Sequence, residues 1–150
     1  MAFSKIKYAK GDVTIAWKDE GPRSTVTHEM QSGEAPRPEL FTALQAFATF
    51  VLDIAELDSG WQRDLTIQSV SIGESEALGR GIVVTALKKV TGAHSPIVLN
   101  TPFLTELPSS EGGPRLPRYA IDMLDTLEAE AAKFRAGERA QQSLFPEQAA

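Results

Sequence analysis

The chain has 150 residues, 42% of them hydrophobic and 23% charged, with no cysteine and a formal charge of −5. That is enough sequence to close one hydrophobic core without staples, and it excludes a disulfide framework, thiolate chemistry and any cysteine-based metal site. The acidic balance works against a general nucleic-acid binder unless basic side chains gather on one face, and no apolar run approaches the roughly 18 residues of a membrane span.

The first ten residues, MAFSKIKYAK, lack the continuous apolar stretch of a secretory signal, so a cytoplasmic location is expected. Residues 4–9 predict a short strand. A clearer one follows, in which Val13, Ile15 and Trp17 alternate with Thr14, Ala16 and Lys18 and the first set faces the core. Asp19-Glu20-Gly21-Pro22 is turn chemistry. Residues 25–30 read as a third strand with Val26, His28 and Met30 on one side.

Residues 38–57, PELFTALQAFATFVLDIAEL, predict a single long helix. Leu40, Leu44, Phe47, Val51 and Ile54 recur at spacings of three and four and so fall on one line down its length. Phe41, Phe50 and Leu52 widen that line, leaving Thr42, Gln45, Thr49, Asp53 and Glu56 as a narrow polar strip on the far side. Pro38 and Glu39 suit a first helical turn, and Asp58-Ser59-Gly60 suits a stop. So apolar a helix should be the most buried element.

Residues 64–72 predict a strand whose apolar set changes parity between Leu65 and Ile67 on one side and Val70 and Ile72 on the other. A side-chain period of two cannot do that without an extra residue, so a bulge is expected near Gln68-Ser69. Residues 73–81 read as a turn, 82–90 as a nearly continuous apolar strand suited to the centre of a sheet, and 96–100 as a further strand. The proline- and glycine-rich stretch 101–117 reads as loop. A second helix should run from Pro117 to about Ala136 with Ile121, Leu124, Leu127, Ala131 and Phe134 inward and Gly137 as its stop. The expected fold is α+β, with two three-stranded antiparallel meanders each followed by a helix (βββαβββα), in one sheet or two packed against two helices. Residues 1–137 would form one globular domain and 138–150 a flexible tail.

Groups suited to catalysis are few. His28 and His94 are the two histidines, and the sequence holds no nucleophile elbow, phosphate loop or zinc-helix motif. Asp58 and Asp64 flank Trp61 and would be the carboxylate pair of a metal-dependent hydrolase. They read more simply as a helix end and a strand start. No catalytic residue, metal or cofactor is therefore assigned, and a non-enzymatic role is expected. Basic side chains come mainly from the strands. Trp17, Lys18, Trp61, Lys88 and Lys89 are the candidate contacts to single-stranded DNA, with a tryptophan stacking on bases beside lysines and binding that weakens with salt.

The last ten residues carry a more specific pattern. Gln141-Gln142-Ser143-Leu144-Phe145 sets two large apolar residues in a polar tail, and such residues usually have a partner. The peptide resembles the short motif by which polymerases, clamp loaders and repair proteins dock on the bacterial sliding clamp: glutamine, a variable residue, serine or aspartate, leucine, phenylalanine. The resemblance implies Gln141 as a polar anchor at the rim of the clamp cleft and Leu144 and Phe145 as the side chains that fill it. Gln142 departs from the leucine that is commoner there. A small, acidic, cysteine-free body with such a tail is also similar in style to accessory proteins that bacteriophages carry near replication and recombination genes. The implied function is a non-enzymatic accessory or modulator of bacterial or phage DNA replication or recombination, tethered to the clamp. The alternative is a binding, sequestering or self-assembling module, a counter-defence protein or homo-oligomer for example, with an incidental tail whose Leu144 and Phe145 fold back on the body.

Overall fold

The structure, a computed structural model, describes residues 1–140. Its elements are β1 (Ala2–Ala9), β2 (Asp12–Glu20), β3 (Thr25–Ser32), α1 (Pro38–Gln45), α2 (Ala48–Ile54), β4 (Leu65–Ser75), β5 (Gly79–Lys88), β6 (Ile97–Asn100), β7 (Leu104–Thr105) and α3 (Arg118–Arg135), with a 3-10 turn over Ser59–Asp64. The fold is α+β. One antiparallel sheet runs in the order β3-β2-β1-β4-β5-β6, and β7 also pairs with β5. One side of the sheet faces the core, where Ile6, Val13, Ile15, Ile67, Val70 and Ile82 are fully or almost fully buried beneath the helices.

Period-two alternation explains the strands, and the expected irregularity in β4 is present. The β4–β5 register shifts between Ile67 and Ser69, so Ile67 and Val70 both reach the core across a three-residue spacing. The β4–β5 hairpin is tighter than expected, because β4 continues to Ser75 and β5 restarts at Gly79. The central place falls to β1 and β4, with β5 one strand in from the edge. β6 and β7 take consecutive parts of the outer side of β5, at residues 85–88 and 81–82. β7 lies inside the stretch that reads as loop, because only two residues pair.

The long helix is divided. Phe47 donates its N–H to the carbonyl of Leu44, three residues back, at 3.2 Å, and this tightened turn separates α1 from α2. No glycine or proline marks the break. The core line survives it: Leu40, Leu44, Phe47 and Val51 are buried, and Phe47 meets Phe50 edge to face with centroids 6.4 Å apart. Phe41 is the exception, half exposed with its ring against the edge of Tyr8.

Gln45, expected on the polar strip, has a different task. β1 pairs with β4 only from Ser69 to Ser71, which leaves Ile67 past the end of the ladder. The Gln45 amide takes that place, accepting from the Ile67 N–H at 2.9 Å and donating to the Ile67 carbonyl at 2.9 Å. A side-chain amide thus does for one residue what a neighbouring strand would do.

α3 buries the expected stripe and ends at Gly137, whose φ of +105° favours glycine. The body nevertheless holds the chain three residues further. Ala140 donates to the Ala35 carbonyl at 3.0 Å, the Arg139 guanidinium lies 3.6 Å from the Phe134 ring centroid, and its Nε is 3.6 Å from Glu34.

Two substitutions test this core. Gln45→Ala leaves two backbone groups of Ile67 unpaired and should cost about 2–4 kcal/mol. Phe47→Ala opens a cavity at a fully buried site and should cost about 3–5 kcal/mol. Urea melts measure both, and a loss below about 1 kcal/mol for either would contradict the role given to that side chain.

Candidate binding surface on the open face of the sheet

Helices α1, α2 and α3 contribute to the core on one side of the sheet, so alternation directs the other half of every strand to a face that carries no helix among the described residues. The register places Lys5 opposite Ala16 and Ser71, Lys7 opposite Thr14 and Ser69, and Ser71 opposite Val83 on this face. Lys18 shares it, two residues along from Ala16. The short side chains of Ala16 and Ser69 are shielded by their longer cross-strand neighbours, while Lys18 is exposed and Lys5 and Lys7 are partly so. Among the described residues, none of these three lysines has a carboxylate within 4.0 Å. The face also carries Glu29 on β3 and Asp12 and Glu20 at the two ends of β2, of which Asp12 accepts from Gln31.

Phe103 returns to this face from the chain beyond β6. Gly73 and Gly81 are directly paired in β4 and β5, and the distal edge of the Phe103 ring occupies the space above them. A Cβ at Gly81 would overlap the Phe103 ring, so only glycine admits this approach. More than half of Phe103 remains exposed, at 53%. Composition alone does not single out Phe103. The usable signal is the pair of glycines, which becomes visible only once the register is known.

The candidate nucleic-acid contacts do not converge. Lys18 lies on the open face, and Lys89 rims a hollow of about 330 Å3 with Thr66, Leu87 and His94 at the opposite end of the strands. Trp17 points to the helix side, stacked on His28 at 5.2 Å and covered by the Arg135 guanidinium at 4.6 Å. Trp61 lies 4.8 Å beneath the Lys88 ammonium, which also reaches Asp64 at 3.4 Å. Gln141, Leu144 and Phe145 lie outside the described residues.

The other titratable candidates have structural partners. His28 Nε2 is 3.1 Å from Asp19, and Asp58 caps the 3-10 turn by accepting from the Gly60 N–H at 3.1 Å. No group of three histidine or carboxylate side chains among the described residues is arranged to hold a metal ion. None of their helices is long and apolar enough to cross a membrane.

Arg80 has the densest charge environment. Its guanidinium meets Glu106 at 2.9 Å and Asp125 at 2.8 Å and also pairs with Glu128, joining β5 to the chain after β7 and to α3. The hydrogen bonds that Arg80 donates to Glu106, opposed by burial, hold Arg80 above its ordinary pKa. The Arg80 guanidinium holds the Glu106 carboxyl below the usual carboxylate range. Burial pushes Glu128 up and outweighs the same guanidinium. A separate groove of about 570 Å3 runs between α1 and α3, lined by Pro38, Thr42, Ala43, Ala46, Met123 and Thr126 and rimmed by Glu39, Asp122 and Glu130.

Comparison of the chain with protein-family models, with curated proteins and with solved structures finds no match.

Because Glu106 has a lower pKa folded than unfolded, its ionised form stabilises the fold at neutral pH, and that contribution fades as pH falls through the carboxylate range. Glu106→Gln keeps an acceptor for the Arg80 backbone N–H but loses the charge. The variant should melt lower than the parent at pH 7 and lose less stability between about pH 5 and pH 3. Parallel melting curves with an unchanged acid limb would contradict the assignment.

Proposed function

We propose that the protein is a non-enzymatic accessory or modulator of bacterial or phage DNA replication or recombination. In this reading residues 141–145 dock it on the sliding clamp while the α+β body meets a second partner. One observation carries the reading: among the described residues the core closes among Phe3, Phe134 and the residues between them, and Ala140, the last of them, is held to Ala35 immediately before Gln141. The two large apolar side chains of the motif therefore follow a body whose own interior is already filled. Gln141 is the polar anchor, and Leu144 and Phe145 fill the clamp cleft.

Ordering so short a peptide costs entropy, so the affinity should be micromolar, about −8 kcal/mol. Changing Leu144 and Phe145 together to alanine should abolish binding to purified clamp in calorimetry and leave the melting temperature within about a degree. A marked loss of stability, with no clamp binding by the parent, would overturn the reading and would fit a tail that packs on its own body.

A second reading, a self-assembling module, has its own support. β6 is an edge strand without charge, and Ile97 and Val98 are 50% and 56% exposed on it. Native edges usually carry a charge, a proline or a cover that prevents pairing. In that reading the mass measured by light scattering rises with concentration, and Val98→Lys returns it to the monomer value. A monomer mass at every concentration for the parent removes this reading.

A further inference from the structure

The geometry points to single-stranded nucleic acid as the partner of the open sheet face, with Lys5, Lys7 and Lys18 on phosphates and the Phe103 ring under a base. Net charge is the first objection to a polyanion here, and the fold answers it by position. The acidic groups that outnumber the basic ones lie largely in segments 31–60 and 101–140, which contain the helices. Asp122 is exposed on α3, and Glu39 is exposed on α1. A helix is about 10 Å across, so carboxylates on the outer side of that layer are farther from the open face than the roughly 8 Å over which charges act at physiological salt. On the open face Lys5, Lys7 and Lys18 have no carboxylate partner among the described residues, while Asp12 and Glu20 stand at the two ends of β2 and Glu29 lies on β3.

The choice of a single strand follows from Phe103. Lys5 and Lys7 are two residues apart on β1, about 6.6 Å along the strand, and Lys18 extends the positive track onto β2 beside the end of β1. The half-exposed ring sits over Gly73 and Gly81, beyond the Lys5–Ser71 pair and on the far side of β4 from β1. A backbone held by the lysines therefore has an aromatic surface within reach of its bases. Base stacking on an exposed ring needs an unpaired base, and a duplex offers none within its length. An acidic peptide would use the lysines but has nothing to gain from the ring. This proposal does not depend on the clamp contact, and the clamp takes no part in its test.

The experiment is fluorescence anisotropy of a labelled oligothymidylate with the full chain, titrated at several salt concentrations between about 50 and 200 mM. The expected result is binding whose logarithm falls against the logarithm of salt with a slope near −2, as three phosphate contacts on a single strand require. Replacing Lys5, Lys7 and Lys18 together by alanine should weaken binding at least tenfold at the lowest salt and flatten that slope. Phe103→Ala should weaken it about five- to a hundredfold and leave the slope unchanged. Melting curves establish that each variant is folded, and the surface lysine variant keeps the test decisive if Phe103→Ala is not. The double Leu144, Phe145 alanine variant should bind oligonucleotide as the parent does, which separates failure here from failure of the clamp reading. No binding at the lowest salt, equal affinity for duplex or for polyglutamate, or insensitivity to the lysine changes would each overturn the proposal.

Discussion

The seam between β1 and β4 is the constraint on which the rest of the molecule depends. Three residue pairs, Lys5–Ser71, Ile6–Val70 and Lys7–Ser69, join two runs of consecutive strands into one sheet. So short a ladder leaves Ile67, next to the bulge, without a partner on its β1 side, in a region where burial makes unpaired backbone costly. Gln45 closes the gap from α1, and in doing so fixes how the helix crosses the sheet. The tightened turn at Phe47 then lets Leu44, Phe47 and Phe50 all reach the core from two short helices rather than one straight one.

With the sheet continuous and all three helices contributing to the core on one side, the two faces acquire different chemistry. The helix side is packed and acidic outside, tied together by long-range ion pairs. Arg80 gathers Glu106, Asp125 and Glu128, and Arg37 meets Glu130 at 3.2 Å, which accounts for a glutamate that is almost fully buried on α3. Among the described residues, the bare side keeps Lys5, Lys7 and Lys18 without carboxylate partners and gains the Phe103 ring through two glycines. A chain that devotes one sheet face to folding leaves the other available for recognition.

Much of the architecture was legible in the sequence where the signal is local. Alternation located the β2 core residues, a parity change located the β4 bulge, and three-four spacing located the stripe of α3. What was not legible depends on residues far apart in the chain. The helix break has no proline or glycine to announce it, and Gln45 looks like any polar helix residue until Ile67, 22 positions later, is seen to lack a strand. The partners of Arg80 lie 26, 45 and 48 positions away. For the surface, alternation already separated Trp17 from Lys18, whereas Phe103 could be placed only after Gly73 and Gly81 were known to pair.

The claim at the centre of this account is that one face of the sheet folds the protein and the opposite face binds its partner. Residue-resolved nitrogen–proton spectra recorded while oligothymidylate is added would test it most directly. The account predicts shifts confined to the open face, at Lys5, Lys7, Lys18, Ser71, Val83 and Phe103, with the signals of α1 and α3 unmoved. Shifts centred on Thr42, Ala46, Met123 and Thr126, in the groove between those helices, would contradict it.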